Sequence, residues 1–140
     1  MSVIDAQIAK LDSERLEWTS ACPLSHLIPG RGVAVLLRGG EQVALFRLED
    51  GSLRAVSNFD PYARAAVMSR GLVGDRDGEP IVVSPLLKQA FSLIDGRSLD
   101  DGSVSLPVYD IRVWAGVVQV HSVQLHSVQL HSVQLHSVQA

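Results

Sequence analysis

Cysteine is nearly absent from this chain of 140 residues, in which Cys22 is the only one. A single thiol cannot form an intrachain disulfide, and counting alone excludes sites that need several thiolates on one metal. A large excess of one charge sign is also lacking: the formal net charge is −3, and Lys and Arg are scattered along the chain. Because there is no basic stripe or polybasic segment, the composition argues against nucleic acid and membrane surfaces as partners.

Long apolar runs are missing as well. No stretch approaches the roughly 20 apolar residues that a membrane-spanning helix needs. The first 18 residues, "MSVIDAQIAKLDSERLEW", interleave charged with apolar residues and therefore lack the apolar core of a signal peptide. We expect one cytoplasmic domain, preceded over residues 1–16 by a short helix or an extension, since Ile4, Ile8 and Leu11 fall near one helical face.

Turn signals dominate the chain from Trp18 onward. The segment "GVAVLLRGGEQVALFRL" contains two aliphatic runs joined at Gly39-Gly40, a pair that predicts a tight primed hairpin turn. Four more dipeptides of this kind follow: Asp50-Gly51, Asp77-Gly78, Asp95-Gly96 and Ala115-Gly116. Short strands at such close intervals indicate an all-β antiparallel sandwich or barrel over residues 17–120. The large apolar residues expected in its core are Phe46, Val56, Val82, Phe91 and Trp114.

The last twenty residues, 121–140, repeat the pentapeptide "HSVQL" almost without change. Five residues advance a helix by about 500°, and an odd period alternates the faces of a strand. Neither structure therefore gathers His121, His126, His131 and His136 into one site. We interpret the segment as a low-complexity tail outside the functional fold. Weak binding of a transition metal by imidazoles, or addition of the β-prone "SVQL" as a strand, are the alternatives.

Two proline loops stand out between the strands. "VSNFDPYARAAVMSRG" covers residues 56–71, and "SPLLKQAF" covers residues 84–91. Each follows a strand, turns through a proline and returns to apolar sequence. This layout resembles the Rieske iron–sulfur domain, in which a Cys-Pro-His loop and a Cys-Pro-x-His loop bind one cluster through two thiolates and two imidazoles. The resemblance implies a Rieske-like β-sandwich with two proline loops.

The residues at the four ligand positions do not suit a cluster. The resemblance places Asp60 and Tyr62 at the first pair and Ser84 and Leu87 at the second. Leu87 has no donor atom, and Tyr62 offers a phenol in place of an imidazole. The oxygens of Asp60 and Ser84 favour hard cations over a sulfide-bridged iron pair. The sequence therefore argues against a metal site here and against a ferredoxin-type electron carrier.

The motif order narrows the resemblance further. An Asp-Pro loop that ends in Ser-Arg-Gly, then "SPLLKQAF", then "YDIRVWAGVVQV" resembles the small-subunit family of cytoplasmic NAD(P)H-dependent nitrite reductases over about residues 16–120. The resemblance implies a non-catalytic subunit without a cofactor that docks on a large subunit. That large subunit would hold FAD, an iron–sulfur cluster and sirohaem and reduce nitrite to ammonia in nitrate assimilation. The alternative is a cluster-free Rieske-like binding or regulatory module for another oxidoreductase.

Five residues are the candidate contacts with that partner: Asp60, Tyr62, Arg70, Lys88 and Gln89. Arg70 is the first choice because its planar guanidinium suits carboxylates. Each has a simpler explanation: Asp60 could cap its own turn, Tyr62 could fill the vacated cluster cavity, and the other three could be ordinary solvated side chains.

Three other residues complete the expectations. Ser84 could hydrogen-bond within its own loop. Leu87 is expected to pack into the space of the missing imidazole and cluster, because a dry cavity would cost stability. Cys22 and His26 could suggest a nucleophile pair, but no orienting third group accompanies them, so a structural cysteine is favoured. No catalytic residue is assigned.

Overall fold

The computed structural model describes residues 6–7 and 17–125. Within these ranges the chain forms eleven strands: β1 Trp18–Pro23, β2 Gly32–Leu36, β3 Gln42–Arg47, β4 Leu53–Ser57, β5 Phe59–Asp60, β6 Ala65–Ala66, β7 Leu72–Arg76, β8 Glu79–Val83, β9 Ala90–Ser92, β10 Val108–Trp114 and β11 Val117–Leu125. Two 3₁₀ turns, Leu24–His26 and Met68–Arg70, interrupt them. Most of the expected N-terminal helix lies outside the described residues. In the described part of the chain, no helix is long and apolar enough to cross a membrane.

The strands form one large sheet and two small ones. The six-stranded sheet has the order β1-β11-β10-β4-β3-β2, the three-stranded sheet the order β7-β8-β9, and β5 pairs with β6. Every pair is antiparallel. The all-β prediction is therefore confirmed. The first proline loop leaves β5 and the second leaves β8, so strands of two different sheets carry the two loops.

The hairpin turns follow the sequence signals, but three of the five dipeptides differ in geometry from a primed turn. At Asp50-Gly51 and Asp95-Gly96 only the glycine has a positive φ, of 89° and 82°. Asp77-Gly78 and Ala115-Gly116 both have two positive φ angles, which is the backbone of a primed two-residue turn. At Gly39-Gly40 only Gly40 has a positive φ, of 95°. The Leu37 N–H donates to the Glu41 carbonyl across that loop, at 2.8 Å. The primed turn predicted there is wrong, because the longer loop needs only one residue in the left-handed region.

β3 is buried on both faces and divides the core into two clusters. Phe46 and Ala44 face one cluster, whereas Leu45 and Val43 face the other. The expected core residues Phe46, Val56, Val82 and Phe91 are all completely buried and belong to the first cluster. The prediction for Trp114 is wrong, since 66% of this residue is exposed. It ends β10, where its ring lies 5.8 Å from the guanidinium carbon of Arg112 instead of entering the core.

β11 extends past the predicted end of the domain at residue 120. Its last five residues, His121–Leu125, are the first copy of the pentapeptide and lie in the large sheet. His121 pairs with Trp18 on β1, and Leu125 pairs with Val108 on β10. β11 therefore continues five residues beyond residue 120, because the alternating pattern of the strand continues into the repeat. The other copies, with their three histidines, lie outside the described residues.

Candidate functional site

The two proline loops meet at a hydrogen bond between Asp60 and Ser84. The Ser84 hydroxyl donates to Asp60 Oδ2, and both residues are completely buried. Asp60 ends β5 and Ser84 follows β8, so this bond joins two of the three sheets. The sequence comparison placed these residues at the two thiolate positions of a Rieske cluster. In this chain an oxygen–oxygen hydrogen bond between these two residues connects the loops.

The first loop folds around the Asp60 carboxylate. Asp60 Oδ1 accepts hydrogen bonds from the Tyr62 N–H at 2.9 Å and from the Ala63 N–H at 3.2 Å. Its backbone carbonyl accepts the Arg64 N–H at 2.7 Å. With the Ser84 hydroxyl, the buried carboxylate has three donors, which is what a buried charge requires. Asp60 therefore serves as a turn residue, the simpler of its two explanations, and exposes no surface to a partner in this structure.

The second loop repeats this construction around Ser84. The Ser84 hydroxyl accepts the Leu86 N–H at 3.3 Å, and the Ser84 carbonyl accepts the Lys88 N–H at 3.2 Å. The Ser84 N–H donates to the Gln89 carbonyl at 2.9 Å, which closes the loop. Lys88 Nζ donates to the Pro85 carbonyl at 3.1 Å. Ser84 thus bonds within its own loop, as expected, and also across to the first loop.

The two loops share one five-residue pattern. Each begins with the buried polar residue, continues with a proline, and places a basic residue fifth: Arg64 in the first loop and Lys88 in the second. Both basic residues have left-handed backbones, with φ of 57° and 62°. Sequence reasoning missed Arg64, although the matching segments "DPYAR" and "SPLLK" carry a basic residue at the same spacing.

Tyr62 turns toward the core. Its ring packs against the first core cluster, with its centroid 5.9 Å from that of Phe91, and its hydroxyl donates to the buried Ser98 at 3.2 Å. Beside it, the Ser103 hydroxyl and backbone N–H lower the pKa of Asp101, and the Tyr62 hydroxyl adds to that effect. These contacts support the explanation that Tyr62 fills space in the domain.

Leu87 faces solvent. It is 54% exposed, and its neighbour Leu86 is 53% exposed. The expectation that Leu87 packs into a vacated cavity is wrong, because the tight turn held between Ser84 and Lys88 points the loop outward. Of the remaining partner candidates, Arg70 and Lys88 are exposed and Gln89 is half-buried.

The donor set does not fit a [2Fe–2S] cluster. A Rieske centre needs two thiolates and two imidazoles converging on one point. Here Asp60 and Ser84 bind each other, Tyr62 turns inward and Leu87 turns outward. No group of three or more His, Cys, Asp or Glu side chains comes together in the part of the chain that the structure describes. Cys22 lies on β1, where burial raises the pKa of its thiol.

Comparison with known proteins places this geometry in a family. The model of the Rieske-like [2Fe-2S] domain matches residues 17–121. The chain is 46% identical over 105 residues to the nitrite reductase (NADH) small subunit of Salmonella typhimurium, covering 74% of this chain and 96% of that protein. A crystal structure from Mycobacterium tuberculosis, described as a candidate NADH-dependent nitrite reductase small subunit, is 64% identical with a TM-score of 0.74 and covers 76% of this chain and 95% of its own.

One further relative differs in its length. The chain is 42% identical over 103 residues to the nitrite reductase [NAD(P)H] large subunit of Klebsiella oxytoca, and this match covers 74% of the chain but only 11% of that protein. A segment similar to this whole domain therefore lies within a much longer polypeptide there. Taken with its fold and its two proline loops, the chain belongs to the Rieske-like family, and within it to the small subunits of NAD(P)H-dependent nitrite reductases.

Proposed function

We propose that this chain is a non-catalytic subunit that docks on the large subunit of a cytoplasmic nitrite reductase and carries no cluster itself. The reaction would be the reduction of nitrite to ammonia in nitrate assimilation. FAD, the iron–sulfur cluster and sirohaem would all belong to the large subunit. No residue of this chain would touch nitrite or a redox cofactor, and its contribution would be a shaped surface.

One observation carries the proposal: a buried hydrogen bond joins Asp60 and Ser84, the two residues that the resemblance puts in place of the thiolate ligands of a Rieske domain. A buried carboxylate with three donors makes the two loops stable without a metal. The relative from Klebsiella oxytoca supports the docking role, because a segment similar to this chain is part of the large-subunit polypeptide in that protein. Fusion of two partners into one chain is the arrangement expected of domains that work together.

The test begins with the isolated chain, expressed with ample iron and sulfide. We expect a colourless protein with a cooperative thermal transition and no stoichiometric iron. Visible absorption typical of an iron–sulfur cluster, together with iron and sulfide bound in a fixed ratio, would contradict the cluster-free subunit.

The second step uses the large subunit from the same organism, produced with and without this chain. We expect the two chains to elute together, and nitrite-dependent oxidation of NADH or NADPH to require both. If the large subunit is fully active alone and does not retain this chain, the subunit role is wrong. Recovery of a different oxidoreductase by the tagged chain would favour the alternative of a binding or regulatory module.

A further inference from the structure

We infer that the tips of the two proline loops form the docking surface for the large subunit. This surface, called the loop-tip surface below, consists of Leu86 and Leu87 together with the basic residues Arg64 and Lys88. Its occupant is a region of the large subunit in which carboxylates surround an apolar depression. The inference rests on the proposed function and names the surface that would perform it.

Backbone strain is the first observation. Within residues 6–7 and 17–125, four residues other than glycine have a positive φ: Arg64, Asp77, Lys88 and Ala115. Asp77 and Ala115 occupy primed hairpin turns, which require that backbone. A left-handed backbone is strained for an L-residue, whereas glycine adopts it without that strain. Arg64 and Lys88 therefore occupy positions where glycine would be less strained.

The folded domain gains little from these two basic side chains. Among the described residues, Arg64 makes no side-chain hydrogen bond or ion pair, although its backbone N–H closes the first loop. In the described part of the chain, the Lys88 ammonium makes one hydrogen bond, to the Pro85 carbonyl on the protein surface. Both residues are exposed. Strained residues whose side chains contribute little to folding are typical of binding sites, because the gain appears only in the complex.

The exposed leucines are the second observation. Single exposed apolar residues are common on protein surfaces and need no explanation. Leu86 and Leu87 differ because they are adjacent in a loop that hydrogen bonds hold at both ends. A loop held in one conformation loses little entropy when it binds, so its apolar side chains contribute more fully to affinity.

Charge is the third observation. Asp60 is buried, so the exposed charges of the segments 60–64 and 84–89 are those of Arg64 and Lys88, both positive. The whole chain, by contrast, has a formal net charge of −3. Two acidic residues lie beside the loops: Asp100 accepts the Ala90 N–H and forms an ion pair with Arg76 at 3.8 Å, and Asp101 accepts the Ser103 hydroxyl. Hydrogen bonds from neutral groups do not cancel a negative charge, so the excess of positive charge is confined to the two loop tips. A locally basic tip on an acidic protein fits an acidic partner surface and would orient the encounter.

The two loops present this surface together. The Arg64 N–H donates to Asp60 and the Lys88 N–H donates to Ser84, and these two residues bind each other. The backbones of both basic residues are therefore held by the two residues that form the buried hydrogen bond. The large subunit is the occupant because, in the relative from Klebsiella oxytoca, a segment similar to this chain belongs to that polypeptide.

The experiment measures the affinity of the full chain for the large subunit of the same organism, together with the melting temperature of each variant. Arg64→Gly and Lys88→Gly should melt at or above the temperature of the unsubstituted chain, because they relieve strain. We expect each of them to weaken binding about 3- to 10-fold, and Leu87→Ala to weaken it about 10-fold. High salt should lower the affinity of the unsubstituted chain for the large subunit toward that of the two glycine variants.

Asp77→Gly is the matched control. Asp77 has a φ of 54° and lies in the β7–β8 hairpin, so the substitution relieves the same backbone strain outside the loop-tip surface. We expect its affinity to be unchanged. If the unsubstituted chain binds and the three loop-tip variants bind equally well, the loop-tip surface is wrong while the proposed function stands. If the unsubstituted chain does not bind the large subunit, both are overturned.

Discussion

The Asp60–Ser84 hydrogen bond gives the sharpest test of how the two loops are held together. Ser84→Ala removes one hydroxyl from a completely buried position and leaves Asp60 Oδ2 without its donor. The two other donors, the Tyr62 and Ala63 N–H groups, both bind Oδ1 and cannot replace it. Leu86 also loses the acceptor of its N–H, but that hydrogen bond is only partly buried and water can replace it.

The magnitude follows from the burial. A buried acceptor left without a partner costs about 1–3 kcal/mol, and a charged acceptor lies at the upper end of that range. We therefore expect Ser84→Ala to lower the free energy of unfolding by about 2–3 kcal/mol. For a domain of this size, that loss corresponds to a fall in melting temperature of roughly 10–15 °C.

The assay is a double-mutant cycle measured by urea denaturation. Asp60→Ala, Ser84→Ala and the double variant are compared, and we expect a coupling energy of about 1 kcal/mol or more between the two residues. Ser25→Ala is the matched control, since Ser25 is exposed and its hydroxyl makes no hydrogen bond among the described residues. A coupling energy below about 0.5 kcal/mol, or a loss in Ser84→Ala no larger than that in Ser25→Ala, would refute the role given to this bond.

Two further predictions concern the fold. Gly96 has a φ of 82°, and an added Cβ would meet the Leu106 carbonyl oxygen, so Gly96→Ala should destabilise the domain by about 3 kcal/mol or more. Gly78→Ala, at a φ of 87° with open space around it, should cost only about 1 kcal/mol, and equal melting temperatures for the two variants would contradict this reasoning. Removing residues 121–140 should lower the melting temperature more than removing residues 126–140, because only the longer deletion takes away the part of β11 that pairs with β1 and β10. The same melting temperature for both truncations would support a domain boundary at residue 120.

Most of the fold could be read from local signals in the sequence. Each turn dipeptide lies at or beside a turn, because its glycine takes a positive φ without the strain that an L-residue would have. Phe46 and Phe91 were predictable core residues, since each lies in an apolar run between two turns. The exposure of Trp114 was not predictable, because buried residues are mostly apolar but apolar residues are not always buried. A large residue at the end of a strand can stack on a neighbouring arginine instead.

The candidate site depended on contacts that no local pattern contains. Asp60 and Ser84 are 24 residues apart, and either one alone is an ordinary turn residue before a proline. Only the resemblance to a two-loop fold indicated that they would meet. The exposure of the Leu87 side chain could not be predicted from the sequence either, because it depends on the left-handed backbone of Lys88, the next residue. The shared basic position of the two loops, in contrast, was visible in the sequence and was overlooked.

The hydrogen bond between the two loops also bears on how such a subunit matures. An iron–sulfur cluster has to be built on other proteins and delivered, and a domain that waits for it is exposed to oxidants and to shortage of iron. The Ser84 hydroxyl and the Asp60 carboxylate, in contrast, are part of the polypeptide and need no separate delivery. A chain closed in this way reaches its final shape as soon as it folds, so its readiness for assembly follows the rate of synthesis rather than the supply of metal.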